Sequence, residues 1–463
     1  MEKILFKKIE LWVLGVLAVF GFFGMVLFGA IVLDEERGEE ELGGDHFGVI
    51  GDAALALAEL PENARQSLRQ LGRPDPTMIV WRGADLSQNM ASGWSWYQPP
   101  ASSGLNGFLL NSRYDGNVKR QVIELMSLKT GETLKTWSPK AETLLAAAEW
   151  RPEFDGWTYP ELWTNTYFRY VHPYLTTAGE LLLKDHNTPL FLVSPCGDIQ
   201  WVNDDFLFHH STEPDGEGGF WIPSLMLKDR PKDLSNSFVR EALVRVNSEG
   251  EVVYQKALDE ILIANGLRHL LFPATGFFKD PMHLNDIQPI YADGPFWKKG
   301  DLFLSLRTPS LVLLYRPSTQ KIIWSQAGPW MSQHDVDIVD DHRIAVFSNN
   351  AYDEGLGPRV AGPSETLIYD FETGVLTSPF RKTLKELNVI TLTEGLQDFA
   401  PSGHVIFEEA DRGRILLLDG KGKLVASFLN RAENGQVYAL GWSRYIPQAH
   451  GDKALAAIEQ SGC

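Results

Sequence analysis

The chain has 463 residues, of which 44% are apolar, 11% aromatic and 22% charged, a balance that supports one large folded domain and excludes disorder on a large scale. Its formal charge is −18; residues 1–33 carry +1, so the remainder carries −19, and such a surface repels phosphate backbones and argues against a nucleic-acid partner. Two cysteines, Cys196 and Cys463, provide no evident disulfide framework and exclude a cysteine-rich metal site, so the core must supply the stability.

Residues 1–10 carry Lys3, Lys7 and Lys8, and Leu11 to Leu33 contain no charged side chain. Those 23 residues reach roughly 35 Å as a helix at about 1.5 Å each, enough for a bilayer core of about 30 Å. A cleaved signal has a shorter apolar core and ends in a small-x-small site; this run meets Asp34 without one and reads as an uncleaved anchor spanning residues 11–33. The lysines before it, and Asp34, Glu35, Glu36, Glu39, Glu40 and Glu41 after it, predict a single-pass inner-membrane protein. Residues 1–10 are then cytoplasmic and the bulk is periplasmic or extracellular. Residues 34–75 read as an acidic stalk with a short helix, because Ala53 to Leu71 has apolar positions at helical spacing.

From residue 76 to 463 the pattern is all-β: apolar runs of four to six residues alternate with Gly, Pro, Asn and Asp clusters. One hairpin recurs, an apolar run, a polar turn and a second apolar run often ending in an aromatic residue. The copies lie at Val122–Trp137, Leu190–Trp201, Leu243–Tyr254, Leu311–Trp324, Thr366–Leu376 and Ile415–Phe428. Their turn markers, Gly131, Gly197, Gly250, Gln320, Gly374 and Gly422, are 66, 53, 70, 54 and 48 residues apart, spacings that fit four-stranded blades with variable loops. Six copies predict a six-bladed β-propeller, in which radial repetition hides strand edges.

A second element precedes the hairpins and carries histidines. His172 stands ten residues before Leu182, His210 ten before Phe220 and His334 ten before Ile344; His283 opens a fourth copy with a longer turn. If each lies on the first strand of its blade, all four point at one axial cavity. The alternative is that each ties its loop to a neighbouring blade through a carboxylate such as Asp286, Asp335 or Asp337. His209 has the opposite strand parity to His210 and is expected to point into its blade, while His46, His342, His404 and His450 fall in linkers or turns. Arg307, between the apolar residues of DLFLSLRTPSLVLLY, is costly to bury unpaired and needs an anion, either a buried carboxylate or a bound oxyanion.

The stretch from Met282 to Asn350 holds HLND, LFLSLRTPSLVLLYRPSTQKIIW and QHDVDIVDDHRIAVFSNN, and in that order it resembles the arylsulfotransferase family of bacterial propeller enzymes. FHHSTEPDGEGGFWIP upstream agrees, and the likeness extends from about residue 165 to about 446. The resemblance implies that His334 is a nucleophile that becomes transiently sulfated and that His210, His283 and Arg307 bind the sulfo group. His172, Asn285 and Asn349 join them as substrate-binding residues. It implies an aryl sulfate donor, a phenolic or other hydroxyl acceptor, and neither cofactor nor metal. Members of the family often have a separate N-terminal β-sandwich and a cleaved signal, which this chain is not expected to have. Two rival readings use the same residues. One is a four-histidine metalloenzyme, against which the cationic Arg307 argues; the other is a non-catalytic propeller scaffold in an envelope protein complex.

Overall fold

The computed structural model describes residues 11–40 and 90–463, except 155–156, 159–162, 229, 233, 275, 355 and 356, together with isolated positions between 50 and 58. Most of the stalk expected over residues 34–75, and the start of the domain expected from residue 76, lie outside the described residues. The chain divides into two units, Met1–Pro74 and Asp75–Cys463.

In the first unit a helix runs over Leu11–Glu40, continuing past the apolar run into the acidic residues. Its segment Trp12–Val32, with a mean hydropathy of 2.4, is long and apolar enough to cross a membrane, a property that signal sequences share.

The second unit is an all-β, propeller-like fold. Each of the six hairpins expected from the repeat is an antiparallel pair, for example Leu311–Arg316 with Lys321–Ala327 and Arg414–Leu418 with Leu424–Leu429. Four sheets have the form of a blade. One is built from Leu284–Pro289, Leu302–Leu306, Leu311–Arg316 and Lys321–Ala327 in simple order, and another from Val336–Ile338, Arg343–Ser348, Glu365–Asp370 and Leu376–Thr377. The other two interlock the ends of the unit: Arg444–Ile446 adds to Phe108–Asp115, while Gly93–Trp96 adds to Leu424–Leu429. Between them runs an eight-stranded sheet from Tyr174 to Ala257, whose halves join where Leu207 and Phe208 pair with Leu225 and Ser224.

Apolar alternation on each strand buries side chains between neighbouring sheets. Leu302, Leu304, Leu311 and Leu313 pack toward Leu243 and Trp221 on one side, and Phe303, Val312 and Leu314 toward Ile344 and Val346 on the other. Central strands buried on both faces therefore read as continuous apolar runs. Polar groups secure the first strands: Asp286 accepts the amide of Val336 at 3.1 Å, Asp335 that of Gln397 at 3.0 Å, and Asp398 that of Tyr445 at 2.7 Å. Of the carboxylates expected as tethers for histidines, Asp286 and Asp335 thus bind the backbone of the next first strand, while Asp337 Oδ2 has no hydrogen-bond partner among the described residues. Burial, then the charge of Glu213, pushes Asp286 up to about 8, and burial, then Asp286 and Asp335 in turn, raises Asp335 and Asp337 well above the carboxylate range.

The cysteines are paired. Cys196, in the turn after Thr188–Val193, is bonded to Cys463 just beyond the helix Gln448–Ser461, with their Cα atoms 5.4 Å apart. That helix inserts Ala454 and Ile458 among Phe108, Phe191 and Leu181. Gly451 is needed there because a Cβ would lie 2.1 Å from the Phe108 ring. The bridge spans 267 residues, so loop-closure entropy predicts that Cys196→Ser destabilises the fold to urea by about 3–5 kcal/mol. Cys463→Ser is expected to cost the same, with no further loss in the double variant.

Candidate functional site

One backbone feature assembles the site. His172, His210, His283, Ser332, Glu394 and Trp442 all have φ between 48° and 62°, the left-handed region that non-glycine residues seldom occupy. Each lies within four residues of the start of a first strand, at Tyr174, Glu213, Leu284, Val336, Leu396 and Arg444 respectively. The chain turns sharply there and presents a side chain at one end of the unit. The first strands touch in succession, Glu213–Pro214 against Leu284–Pro289, then Val336–Ile338, Leu396–Phe399 and Arg444–Ile446, so the turns converge.

A cavity of about 390 Å³ opens among them, lined by His186, His209, His210, His283, Arg307, His334, Glu241, Asp280 and Glu394, with Trp157, Leu225 and Val239 as an apolar wall. His210 is central: its ring centroid is 4.6 Å from His186, 5.0 Å from His283 and 6.3 Å from His334. His172 does not line the cavity. It packs 5.4 Å from Trp442, whose indole also meets His210 and His334, and its Nδ1 accepts the Thr212 amide. The ten-residue spacing conceals this, because Tyr174 pairs with Leu182 whereas Pro214 pairs with Phe220 and Ile338 with Ile344. The residue facing the tenth position thus stands two after His172 but four after His210 and His334, so the hairpin that follows His172 is two residues shorter. His209, expected to face into its blade, lines the cavity with His210.

His334 is held at both nitrogens. Nδ1 lies 2.8 Å from Asn349 Oδ1, and the Asn349 amide donates to the carbonyls of Glu394 and Thr391, which orients that oxygen as the acceptor. Nδ1 therefore carries the proton. Nε2 keeps a lone pair and accepts the Glu394 amide at 2.9 Å. Burial, reinforced by Arg307, lowers the His334 pKa to about 3, so the ring is neutral at pH 7. Burial also holds His172, His186, His209 and His210 below the ordinary imidazole value.

Arg307 is partly buried and, among the described residues, has no salt-bridge partner; its Nε is buried without a hydrogen bond. Burial lowers its pKa, with Asp280 opposing the shift. Asp280 instead contacts His283, Oδ2 to Nδ1 at 2.5 Å, and although burial raises this carboxyl, His283 holds it low. Asn285 is buried and does not line the cavity; it donates to the Gln333 carbonyl at 2.9 Å, and its Oδ1 has no partner among the described residues.

Several site residues had no signal in the repeat. His186 lies in the turn between Leu181–Leu183 and Thr188–Val193, a position at which no other sheet carries a histidine. With Arg169 it grips the Glu394 carboxylate: His186 Nε2 is 3.3 Å away, Arg169 Nη1 3.1 Å, and Arg169 Nη2 binds the other oxygen. Burial raises Glu394, but Arg169 and His186 outweigh it and hold the carboxyl far below its usual range. Glu408 accepts the amides of Trp442 and Ser443 at 2.9 and 2.7 Å and so supports the turn that presents Trp442. Among the described residues, the one trio of His, Asp or Glu with ligand atoms close enough to share a metal ion is Asp340, Asp341 and His342, in a turn outside the cavity lining.

Comparison with known proteins gives one family. The family model for arylsulfotransferase matches residues 187–431, which include His210, His283, Arg307 and His334. No curated protein matches. Solved structures similar to this chain include a protein of unknown function from Bacteroides caccae, at 12% identity and a TM-score of 0.43 over 74% of this chain and 99% of that one. TolB from Acinetobacter baumannii is 10% identical, with a TM-score of 0.41 over 74% and 67%. Virginiamycin B lyase from Staphylococcus aureus is 12% identical, with a TM-score of 0.33 over 56% and 70%. At these scores none bears on function. The match covers more than half of the chain, and the protein belongs to the arylsulfotransferase family.

Proposed function

We propose that this protein is a membrane-anchored arylsulfotransferase that moves a sulfo group from an aryl sulfate to a hydroxyl acceptor through a sulfated His334. The observation that carries this reading is the Arg307 guanidinium, without a salt-bridge partner among the described residues, in a cavity where burial keeps His186, His209, His210 and His334 neutral. A sulfate monoester provides the missing anion, which the planar donors of Arg307 match in a bidentate way. The apolar wall of Trp157, Leu225 and Val239 suits the aryl ring, and about 390 Å³ accommodates a small aromatic ester.

In this reading, Nε2 of His334 attacks sulfur, the N–S bond forms and the S–O bond to the aryl group breaks. Nδ1–H stays on Asn349, which stabilises the positive charge gained by the ring. Sulfuryl transfer, like phosphoryl transfer, depends mainly on positioning and on stabilising charge on the equatorial oxygens, a task for Arg307, His210 and His283. An acceptor hydroxyl then loses its proton and attacks sulfur, breaking the N–S bond. Attack requires the Glu394 amide to leave Nε2, so the turn containing Glu394 and Gly395 withdraws when the donor enters. His172 and Asn285 act from behind the cavity, through Trp442 and the Gln333 backbone, rather than on substrate.

Two further parts of the reading concern architecture and place. Counting the eight-stranded sheet as two blades gives six, in agreement with six left-handed turns. The Cys196–Cys463 disulfide suits an oxidising compartment, in agreement with an anchor that leaves the propeller periplasmic or extracellular.

The test is single-turnover incubation with 4-nitrophenyl sulfate followed by peptide mapping. An acid-labile mass of one sulfo group is expected on the peptide containing Gln333, His334 and Asp335, and none in His334→Ala. A label on the His283 peptide would move the nucleophile to that ring, whose Nδ1 faces Asp280 and whose Nε2 has no hydrogen-bond partner among the described residues. Turnover that chelators abolish, without any sulfated histidine, would end the sulfotransfer reading.

A further inference from the structure

Transfer from an aryl sulfate needs a proton for the departing phenolate and must take one from the incoming hydroxyl. With His172, His186, His209, His210 and His334 all held below the ordinary imidazole value, a lone imidazolium is a poor store for that proton.

The geometry offers another store. His210 Nδ1 lies 2.7 Å from His209 Nδ1, and His209 Nε2 lies 2.9 Å from Glu241 Oε2. The second contact is close but lacks hydrogen-bond geometry, and each of its two atoms is buried without a hydrogen-bond partner among the described residues. Glu241 Oε1 accepts the Leu284 amide at 3.2 Å, which fixes the carboxyl. Glu241 and His209 are 5% and 3% exposed, and both line the cavity wall. His210 lines the cavity, and its Nε2 has no hydrogen-bond partner among the described residues.

Resting on the sulfotransfer reading above, we propose that Glu241 and His209 are positioning residues of a proton relay and that His210 Nε2 is its working end, general acid for the leaving phenolate and general base for the acceptor. Before transfer the proton is on the Glu241 carboxyl, His209 carries Nδ1–H pointed at His210 Nδ1, and His210 carries Nε2–H. As the S–O bond breaks, His210 gives Nε2–H to the phenolate oxygen, His209 passes its proton to His210 Nδ1, and Glu241 passes its own to His209 Nε2. Glu241 ends ionised and both rings end neutral in their other tautomers. The acceptor hydroxyl reverses every shift, so no external acid or base is consumed. Burial, then the negative Asp280, holds Glu241 well above the usual carboxylate range, with His283 and the Leu284 amide opposing, which suits a group that must keep a proton at neutral pH. Lys184 and His283 face His209, while His186, His283 and His334 face His210; all disfavour an additional positive charge on those rings.

The relay is tested by leaving-group dependence. Glu241→Gln retains shape and can still donate to His209 but cannot release a net proton. 4-Nitrophenolate departs without protonation, whereas phenolate does not. We expect Glu241→Gln to slow phenol release from phenyl sulfate by at least about 100-fold more than nitrophenol release from 4-nitrophenyl sulfate, in the range typical of general acid catalysis. A second variant, His209→Gln, is expected to show the same difference and serves if the first does not fold. Equal slowing of both esters, or unchanged leaving-group sensitivity, overturns the relay and assigns the pair to structure. If wild-type protein transfers sulfo from neither ester to a histidine, the sulfotransfer reading falls and takes the relay with it. A sulfated His334 with unchanged leaving-group sensitivity in the variants sinks the relay alone.

Discussion

Replacing Arg307 by Ala should lower kcat for an aryl sulfate by about 10²–10³-fold, as deleting one donor from an oxyanion hole does, while leaving a measurable residual rate. The loss comes from charge stabilisation, since burial is the larger cause of the low His334 pKa and survives the substitution. Without the guanidinium, the acidic limb of the pH–rate profile should move upward but stay below the ordinary imidazole value. Arg307→Lys should recover only part of the rate, because one ammonium cannot reproduce a two-pronged contact. Stability gives the contrasting readout. A cation with no salt-bridge partner contributes desolvation cost rather than attraction, so Arg307→Ala should unfold at the same or a higher temperature. A fall in melting temperature together with the fall in rate would instead make Arg307 a structural residue.

The second large effect is on stability. Arg169→Met removes the principal partner of Glu394 and leaves a carboxylate that is 12% exposed with His186 as its one remaining partner among the described residues, at an expected cost of about 3–5 kcal/mol in urea unfolding. In the wild type the depressed Glu394 pKa contributes stability that is present above the unfolded carboxyl value of about 4.3 and is lost as pH falls through the folded value. In Arg169→Met the sign reverses: the folded pKa rises, and stability is lost as pH increases through it. Measurements at pH 5 and pH 8 should therefore show the variant closest to wild type at the lower value. Adding Glu394→Gln should recover most of the loss, because a neutral amide removes the buried charge. The pair matters to chemistry because the Glu394 amide caps His334 Nε2, and the same ion pair that fixes the side chain fixes that amide.

Hairpins were legible because their signal is local. Two apolar runs around a polar turn specify an antiparallel pair without reference to the rest of the chain, and each of the six forms as expected. The apolar run after Lys8 likewise predicts a helix, and the helix continues to Glu40. The gathering of His210, His283, Arg307 and His334 follows from their order in successive repeat units once those units close on themselves. His186, Glu241, Asp280 and Glu394 are not among the histidines that recur at ten-residue spacing, so that pattern did not pick them out, although Glu394 occupies the same left-handed turn as His210 and His283. The same holds for the pairing of Cys196 with Cys463, because sequence separation carries no information on approach in space.

The sequence by itself determined the strand-rich class, the recurring hairpin, the apolar N-terminal helix and the order of motifs that marks the family, since all are written in local patterns of side-chain polarity. Only the tertiary structure decided which histidines meet. Equal spacing along the chain places His172 behind Trp442 and His210 at the centre of the cavity, because the length of each first hairpin sets how far its left-handed turn projects. It also decided their chemistry. Asn349 and Glu394 set which nitrogen of His334 donates and which accepts, Asp280 engages Nδ1 of His283 and His209 that of His210, and burial keeps His210 and His334 neutral, outcomes of packing that no single stretch of sequence contains.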